Sequence, residues 1–131
     1  MKIVNIRTQS RVEMKNITSH VRNFLREKNI KDGAIIIYSP HTTAGITINE
    51  AADPDVIKDM TKELNKIIPF EDQYAHIEGN SAAHIKTSLI GPSVIVPVTS
   101  GQLTLGTWQG IFFCEFDGPR NRQFYIKALQ G

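Results

Sequence analysis

Cysteine is nearly absent from this chain, Cys114 being the only one in 131 residues. A lone thiol excludes an intrachain disulfide framework, a CxxC redox pair and a cysteine-built zinc finger. Its place in the apolar run from Ile111 to Cys114 predicts a small buried hydrophobe. Long apolar stretches are missing too: runs such as Ala34 to Tyr38 fall far short of a membrane-spanning helix. The first residues, Met1 to Thr8, mix Lys2, Asn5 and Arg7 with apolar side chains and have no signal-peptide core. A cytoplasmic protein with no membrane partner is expected. An excess of one charge is also lacking. Fifteen Lys and Arg stand against thirteen Asp and Glu, for a net +2, and no block of like charges forms. With no nucleic-acid-binding motif either, no nucleic-acid partner is expected. Nor is there a Walker loop, a dinucleotide fingerprint or a GxSxG elbow.

What is present is enough for a packed core. Hydrophobic residues at 40% against 21% charged exclude disorder, and the length suits one domain over 1–131. Ile3 to Thr8 and Arg11 to Met14 read as strands around a polar turn at Gln9-Ser10. Ile17, Val21, Phe24 and Leu25 then fall at helical spacing, with Thr18 or Ser19 as N-cap and Asn29 to Gly33 as the stop. Ala34 to Tyr38 suits a strand buried on both faces, and Gly45 to Glu50 a short one. Asp53-Pro54 opens a second helix whose buried stripe is Val56, Ile57, Met60, Leu64, Ile67 and Ile68. A third helix runs from about Ser81 to Leu89 and stops at Gly91-Pro92. Strands follow at Val94 to Val98, within Gly106 to Asp117, and at Arg122 to Ala128, the last after a hairpin turn at Gly118 to Asn121. The order ββα-ββ-αα-βββ does not alternate strand with helix, so the fold class is α+β.

The chemistry gathers at strand ends. Ser39, His41, Thr42 and Thr43 follow the buried isoleucines; His76, Glu78, Asn80, Ser81 and His84 follow the second helix. Three neutral imidazoles with an open position suit a catalytic divalent ion, which makes His41, His76 and His84 candidate ligands. The eight-residue step from His76 to His84 matches no local ligand motif, so a general base with histidine neighbours is the alternative. The remaining histidine, His20, lies beside Val21 and suits the surface or packing. Asn80 as N-cap would leave the N–H groups of Ser81, Ala82 and Ala83 facing a phosphate or carboxylate; a plain cap is the bland reading. Thr42 and Thr43 offer hydroxyls to the same phosphate.

In Thr107 to Asp117 a period of two puts Ile111, Phe113 and Glu115 on one face and Phe112, Cys114 and Phe116 on the other. Both faces are apolar, so the strand is central and Glu115 needs a partner, Arg120 or Arg122. It is either a catalytic carboxylate or half of a structural ion pair. Glu50, at a strand end, poses the same choice, whereas Asp53 and Asp55 suit the start of a helix. Trp108 either stacks on a flat heterocycle or belongs to the core.

Three blocks, Ser39 to Glu50, His76 to His84, and Gly106-Thr107-Trp108-Gln109-Gly110 with Cys114 to Arg120, resemble the signature blocks of the YjbQ family in order and spacing. The resemblance implies a β-sandwich-like core with about three helices, a homotrimer, and a pocket in which His41, His76 and His84 hold a divalent metal, zinc foremost or magnesium. It also implies a secondary thiamine-phosphate synthase activity. That reaction joins hydroxymethylpyrimidine diphosphate to thiazole phosphate and releases pyrophosphate. On that reading Glu50, Glu115 and Gln109 are the catalytic candidates, while Thr42, Thr43, Asn80, Ser81, Trp108, Arg120 and Arg122 bind a phosphorylated small molecule. Two further readings of the same residues are a metal-assisted hydrolase and a non-catalytic trimeric protein that binds a metal or metabolite.

Overall fold

Short β-branched runs become strands here because one face of each meets a shared core, and three stretches of helical period cover what the strands leave open. The computed structural model describes residues 1–131. Its elements are β1 (Lys2–Arg7), β2 (Glu13–Asn16), α1 (Thr18–Lys28), β3 (Gly33–Tyr38), β4 (Ala44–Glu50), α2 (Pro54–Ile67), α3 (Ser81–Ile90), β5 (Ser93–Thr99), β6 (Gln102–Leu103), β7 (Gln109–Glu115) and β8 (Asn121–Gln130). They form a five-stranded sheet, β1-β8-β3-β5-β6, and a three-stranded sheet, β2-β7-β4. The fold is α+β.

The main core lies between the sheets. Ile35, Ile37, Val96, Phe124 and Ile126 of the large sheet meet Ile46, Ile111 and Phe113 of the small one, with Val21, Phe24 and Leu25 of α1 completing the cluster. The other face of the small sheet, carrying Phe112 and Cys114, packs under Leu64 of α2 and Ala83 of α3. β7 is thus apolar on both faces and central, as its pattern indicated. Burial raises the Cys114 thiol pKa to about 12, so it is an inert packing group.

The first two strands lie in different sheets, β1 beside β8 and β2 beside β7, so Gln9-Ser10 sits in a crossing between sheets. The expected hairpin at Gly118 to Asn121 is likewise a crossing, from β7 to β8. The two crossings are bonded to each other: Thr8 N–H donates to Arg120 O and Gly118 N–H to Arg11 O, both at 3.0 Å. A Cβ on Gly118 would lie 2.3 Å from the Ser10 carbonyl oxygen, so only glycine permits this approach.

Further details differ from expectation. β3 buries Ile35 and Ile37 but leaves Tyr38 exposed, so within one chain its outer face is open. β6 is an additional strand, paired with β5 through a turn in which Ser100 and Gly101 have φ of 52° and 76°. The N-cap of α1 is Ile17, and Asn16 Oδ1 accepts from Thr18 N–H at 3.0 Å and Thr18 Oγ1 at 2.6 Å. α2 starts as expected, with Asp53 accepting from Asp55 N–H at 2.9 Å. Of its predicted stripe only Leu64 is fully buried, and Ile67 is exposed. No helix is long and apolar enough to cross a membrane.

Candidate functional site

Glu115 and Arg122 form the floor of the site. Glu115 ends β7 on the face of Ile111 and Phe113 and is fully buried, where an unpaired carboxylate would be costly. Arg122 Nε donates to Oε1 at 2.8 Å and Arg122 Nη2 donates to Oε2. Thr8 Oγ1 adds a bond to Oε1 at 2.7 Å, and the Asp117 N–H one to Oε2 at 3.0 Å. Burial pushes the Glu115 pKa up, but these donors, Arg122 foremost, outweigh it and hold the group below its ordinary value. Both carboxylate oxygens are engaged and shielded, which is the structural ion pair and not a carboxylate facing a substrate. Arg122 Nη2 also donates to Thr43 Oγ1 at 2.8 Å, so two of the expected phosphate donors hold each other.

A cavity of about 370 Å³ lies against this floor, with no hydrophobic residue in its lining. Three separated segments meet there: Pro40 to Thr43 after β3; Glu78, Asn80 and His84 around the start of α3; and Asp117, Arg120 and Arg122 in the crossing to β8. Asp117 ties two of these segments together. Its Oδ2 accepts from Asn80 Nδ2 at 2.9 Å and from Arg120 Nη2 at 3.1 Å, while its carbonyl accepts from Arg120 Nε at 2.8 Å. Asn80 therefore occupies the N-cap position without a side-chain cap bond. Its Oδ1 is sealed from solvent with no partner. At the start of α3 the Ala83 N–H is used by Asn80 O at 3.0 Å, and Ala82 and Ala83 are buried, so no open cradle of three donors exists.

His41 is fixed by a main-chain donor. β3 and β8 pair as far as Tyr38 opposite Tyr125, and beyond that point the Gln123 N–H donates to His41 Nε2 at 3.0 Å. Burial, then the Arg122 charge, lowers the His41 pKa from its ordinary value and so favours the neutral ring. His76 is placed elsewhere. It lies edge-on to His84 with ring centroids 5.7 Å apart, its Nε2 is 3.8 Å from Glu78 Oε2, and with Ser81 and His84 it lines a second cavity of about 480 Å³. His84 belongs to both cavities; His76 and Ser81 lie outside the first. His20 is exposed, its ring edge-on to Phe124.

A three-histidine metal centre does not fit this arrangement. No group of three His, Cys, Asp or Glu side chains converges closely enough to hold an ion. His41 Nε2 already accepts an N–H, so its lone pair is committed.

Glu50, Gln109 and Trp108 sit at the far end of the small sheet. The register pairs Ala44 with Glu115 and Glu50 with Gln109. The length of β4, roughly 20 Å at ~3.3 Å per residue, separates them from the cavity. Glu50 Oε2 accepts from Ala52 N–H at 2.9 Å, Gln109 Oε1 from Gly106 N–H at 2.7 Å, and Trp108 is 63% exposed in the preceding turn. None can reach a ligand held by His41 in the same chain.

Three further residues, Asp117 and Gln123 at the site and Lys86 elsewhere on α3, stand outside the expected set. Asp117 and Gln123 act through a backbone crossing that local pattern does not reveal. Lys86 was visible in principle, as a charged residue on the buried face of α3 with Ala82 and Ala83. Its Nζ is sealed without a hydrogen-bond partner, 3.7 Å above the Phe70 ring, which also carries Arg11 at 3.6 Å. Burial, then the Arg11 charge, lowers its pKa to about 8.

Known proteins share this fold and much of this sequence. A family profile described as "UPF0047 protein YjbQ-like" matches residues 2–131. The UPF0047 protein YugU of Bacillus subtilis is 55% identical over 130 residues, covering 98% of each chain. A UPF0047 protein of Methanocaldococcus jannaschii is 52% identical, over 95% of this chain and 90% of its own. A crystal structure of a YjbQ/UPF0047 family protein from Clostridium acetobutylicum superposes with a TM-score of 0.97 at 46% identity, covering 98% of this chain and all of that one. With the profile spanning residues 2–131, about half the residues identical in these relatives and the same path of the backbone, this chain belongs to the YjbQ/UPF0047 family.

Proposed function

We propose that this protein is an enzyme acting on a phosphorylated small molecule, and that the cavity between His41, Asn80 and Arg120 holds the phosphate. The observation that carries the reading is the cavity lining, which has no hydrophobic residue and presents Thr42, His41 and Arg120, the last partly engaged by Asp117, beside the Glu78 and Asp117 carboxylates. A pocket for an apolar ligand would be lined differently. Thiamine-phosphate synthesis is the reaction we put forward. There the thiazole nitrogen attacks the methylene carbon of hydroxymethylpyrimidine diphosphate, the carbon–oxygen bond breaks, and pyrophosphate leaves with the electron pair. Such a departure needs fixed donors where negative charge builds, and a join of two molecules needs adjoining pockets. A further cavity of about 590 Å³, lined by Arg7, Asn121 and Gln123 and sharing His41 and Arg122 with the first, supplies the second pocket.

Metal-assisted hydrolysis is the weaker reading, because Glu115 is locked to Arg122 and Glu50 is at the far end of β4. We keep zinc or magnesium only as a proposal at the His76–His84 pair, where two imidazoles would need ligand or solvent oxygens to complete the shell. A homotrimer is proposed on the outer face of the large sheet, where Ile3, Tyr38, Ile95 and Leu129 are exposed. The test of function is incubation with the two phosphorylated precursors and detection of thiamine phosphate and pyrophosphate by mass spectrometry. Stoichiometric formation of both supports the reading. Tight binding of pyrophosphate without any turnover would leave a non-catalytic binding protein.

A further inference from the structure

We infer that His41 is held as the neutral tautomer with its proton on Nδ1, and that this N–H is a hydrogen-bond donor to a phosphate oxygen in the cavity and not a metal ligand. The donor's role rests on the phosphate reading above; the tautomer does not.

The geometry runs from the main chain outward. β3 stops at Tyr38, whereas β8 already starts at Asn121 and runs past that end. The Gln123 N–H therefore faces a gap where a strand carbonyl would otherwise accept it. A buried or half-buried main-chain N–H requires an acceptor, and the His41 Nε2 lone pair is that acceptor at 3.0 Å. An N–H donor cannot meet a nitrogen that carries its own proton, so Nε2 is bare and the ring proton is on Nδ1. The peptide proton cannot be moved or removed, which makes this a one-way assignment of the tautomer.

The two ring nitrogens point widely apart, so with Nε2 turned to Gln123 the Nδ1–H is turned away from it. No protein acceptor meets Nδ1. The sealed polar atoms that lack a partner are Asn65 Oδ1, Asn80 Oδ1, Lys86 Nζ and Thr87 Oγ1; His41 Nδ1 is not among them and stays accessible. The ring is braced edge-on by Phe113, with centroids 6.4 Å apart, so the donor direction is set before any ligand arrives. Charge points the same way. Burial, then the Arg122 guanidinium beside the ring, opposes a second proton. For a metal to take Nδ1, the ring would have to lose its last proton while Nε2 still held the Gln123 bond.

The tautomer is read by long-range proton–nitrogen correlation on the uniformly labelled protein at pH 7, with no ligand. Protonated Nδ1 and bare Nε2 for His41 are expected; a protonated Nε2, or an imidazolium, overturns the inference. The donor role is read by calorimetric titration with inorganic pyrophosphate. An asparagine amide falls near the place of Nδ1 and a glutamine amide near that of Nε2. His41→Ala should weaken binding about tenfold or more, the size of a lost hydrogen bond to a charged group. His41→Asn should recover most of that loss, and His41→Gln should not. Recovery by glutamine alone overturns the donor assignment. If the wild-type protein binds no pyrophosphate while Nδ1 is protonated, the phosphate reading of the cavity fails, and with it the donor's role, but the tautomer stands.

Discussion

At the scale of single residues, two buried charges behave in opposite ways. Glu115 accepts from four donor groups, whereas the Lys86 ammonium meets no hydrogen-bond acceptor, only the face of Phe70. Removing one partner of a buried pair leaves the other uncompensated, so Glu115→Gln should cost about 3–5 kcal/mol in denaturant unfolding. Because the folded pKa of Glu115 is depressed, its stabilisation is present above the ordinary carboxylate range near 4.5 and is lost as pH falls through the lower folded value. The variant should therefore lose less stability than the wild type on acidification across that range.

Lys86 carries the opposite linkage. Its folded pKa of about 8 lies below the ordinary 10.5, so between those values the unfolded chain holds a proton that the native one releases. Wild-type stability from this group rises with pH across that window and is lowest below it. Lys86→Met should stabilise the fold near neutral pH by roughly 1–2 kcal/mol, since cation–π attraction offsets part of the burial cost. The gain should shrink above pH ~8. Unfolding curves for both proteins at pH 7 and 10 check this, and a variant less stable than wild type at pH 7 would show that Lys86 has a partner in the folded protein.

At the scale of elements, what was local was readable and what was non-local was not. Asp53-Pro54 announced the start of α2, and the bond from Asp55 N–H to Asp53 confirms the reason. Asp53→Ala should lower stability by about 1 kcal/mol, measured by the same denaturant titration, with helix content otherwise kept. The double-sided apolar pattern of β7 likewise foretold a central strand. By contrast, β1 and β2 are close in sequence yet join different sheets, because pairing depends on β8 and β7 more than a hundred residues and about a hundred residues away. The same crossings bring Asp117 to Asn80 and Gln123 to His41, contacts that no spacing rule contains. The polar clusters flanking β3 and α3 were visible as candidate site segments. Glu50, Gln109 and Trp108 do not join these segments within one chain, because β4 and β7 carry those residues to the opposite end of the sheet.

At the scale of the whole molecule, the outer face of the large sheet exposes several large apolar side chains. Tyr38 stacks on Tyr125 with centroids 6.1 Å apart, and Ile3, Ile95 and Leu129 extend the patch outward. Burial at ~25 cal/mol per Å² would reward covering it with further copies of the chain. The proposed trimer should persist at micromolar concentration in light scattering, and Ile95→Glu should shift it toward monomer; a monomeric wild type would end that proposal. Metal analysis addresses the His76–His84 pair separately, since His84→Ala should lower any bound zinc while His41→Ala should not.

The account depends most on the polar cavity being an anion pocket. A crystal structure with pyrophosphate tests this directly. The expected result is density for two linked phosphate tetrahedra in the cavity, with oxygen atoms within hydrogen-bond reach of His41 Nδ1 and Arg120. A fully bound pyrophosphate seated elsewhere, with this cavity holding only solvent, would contradict it.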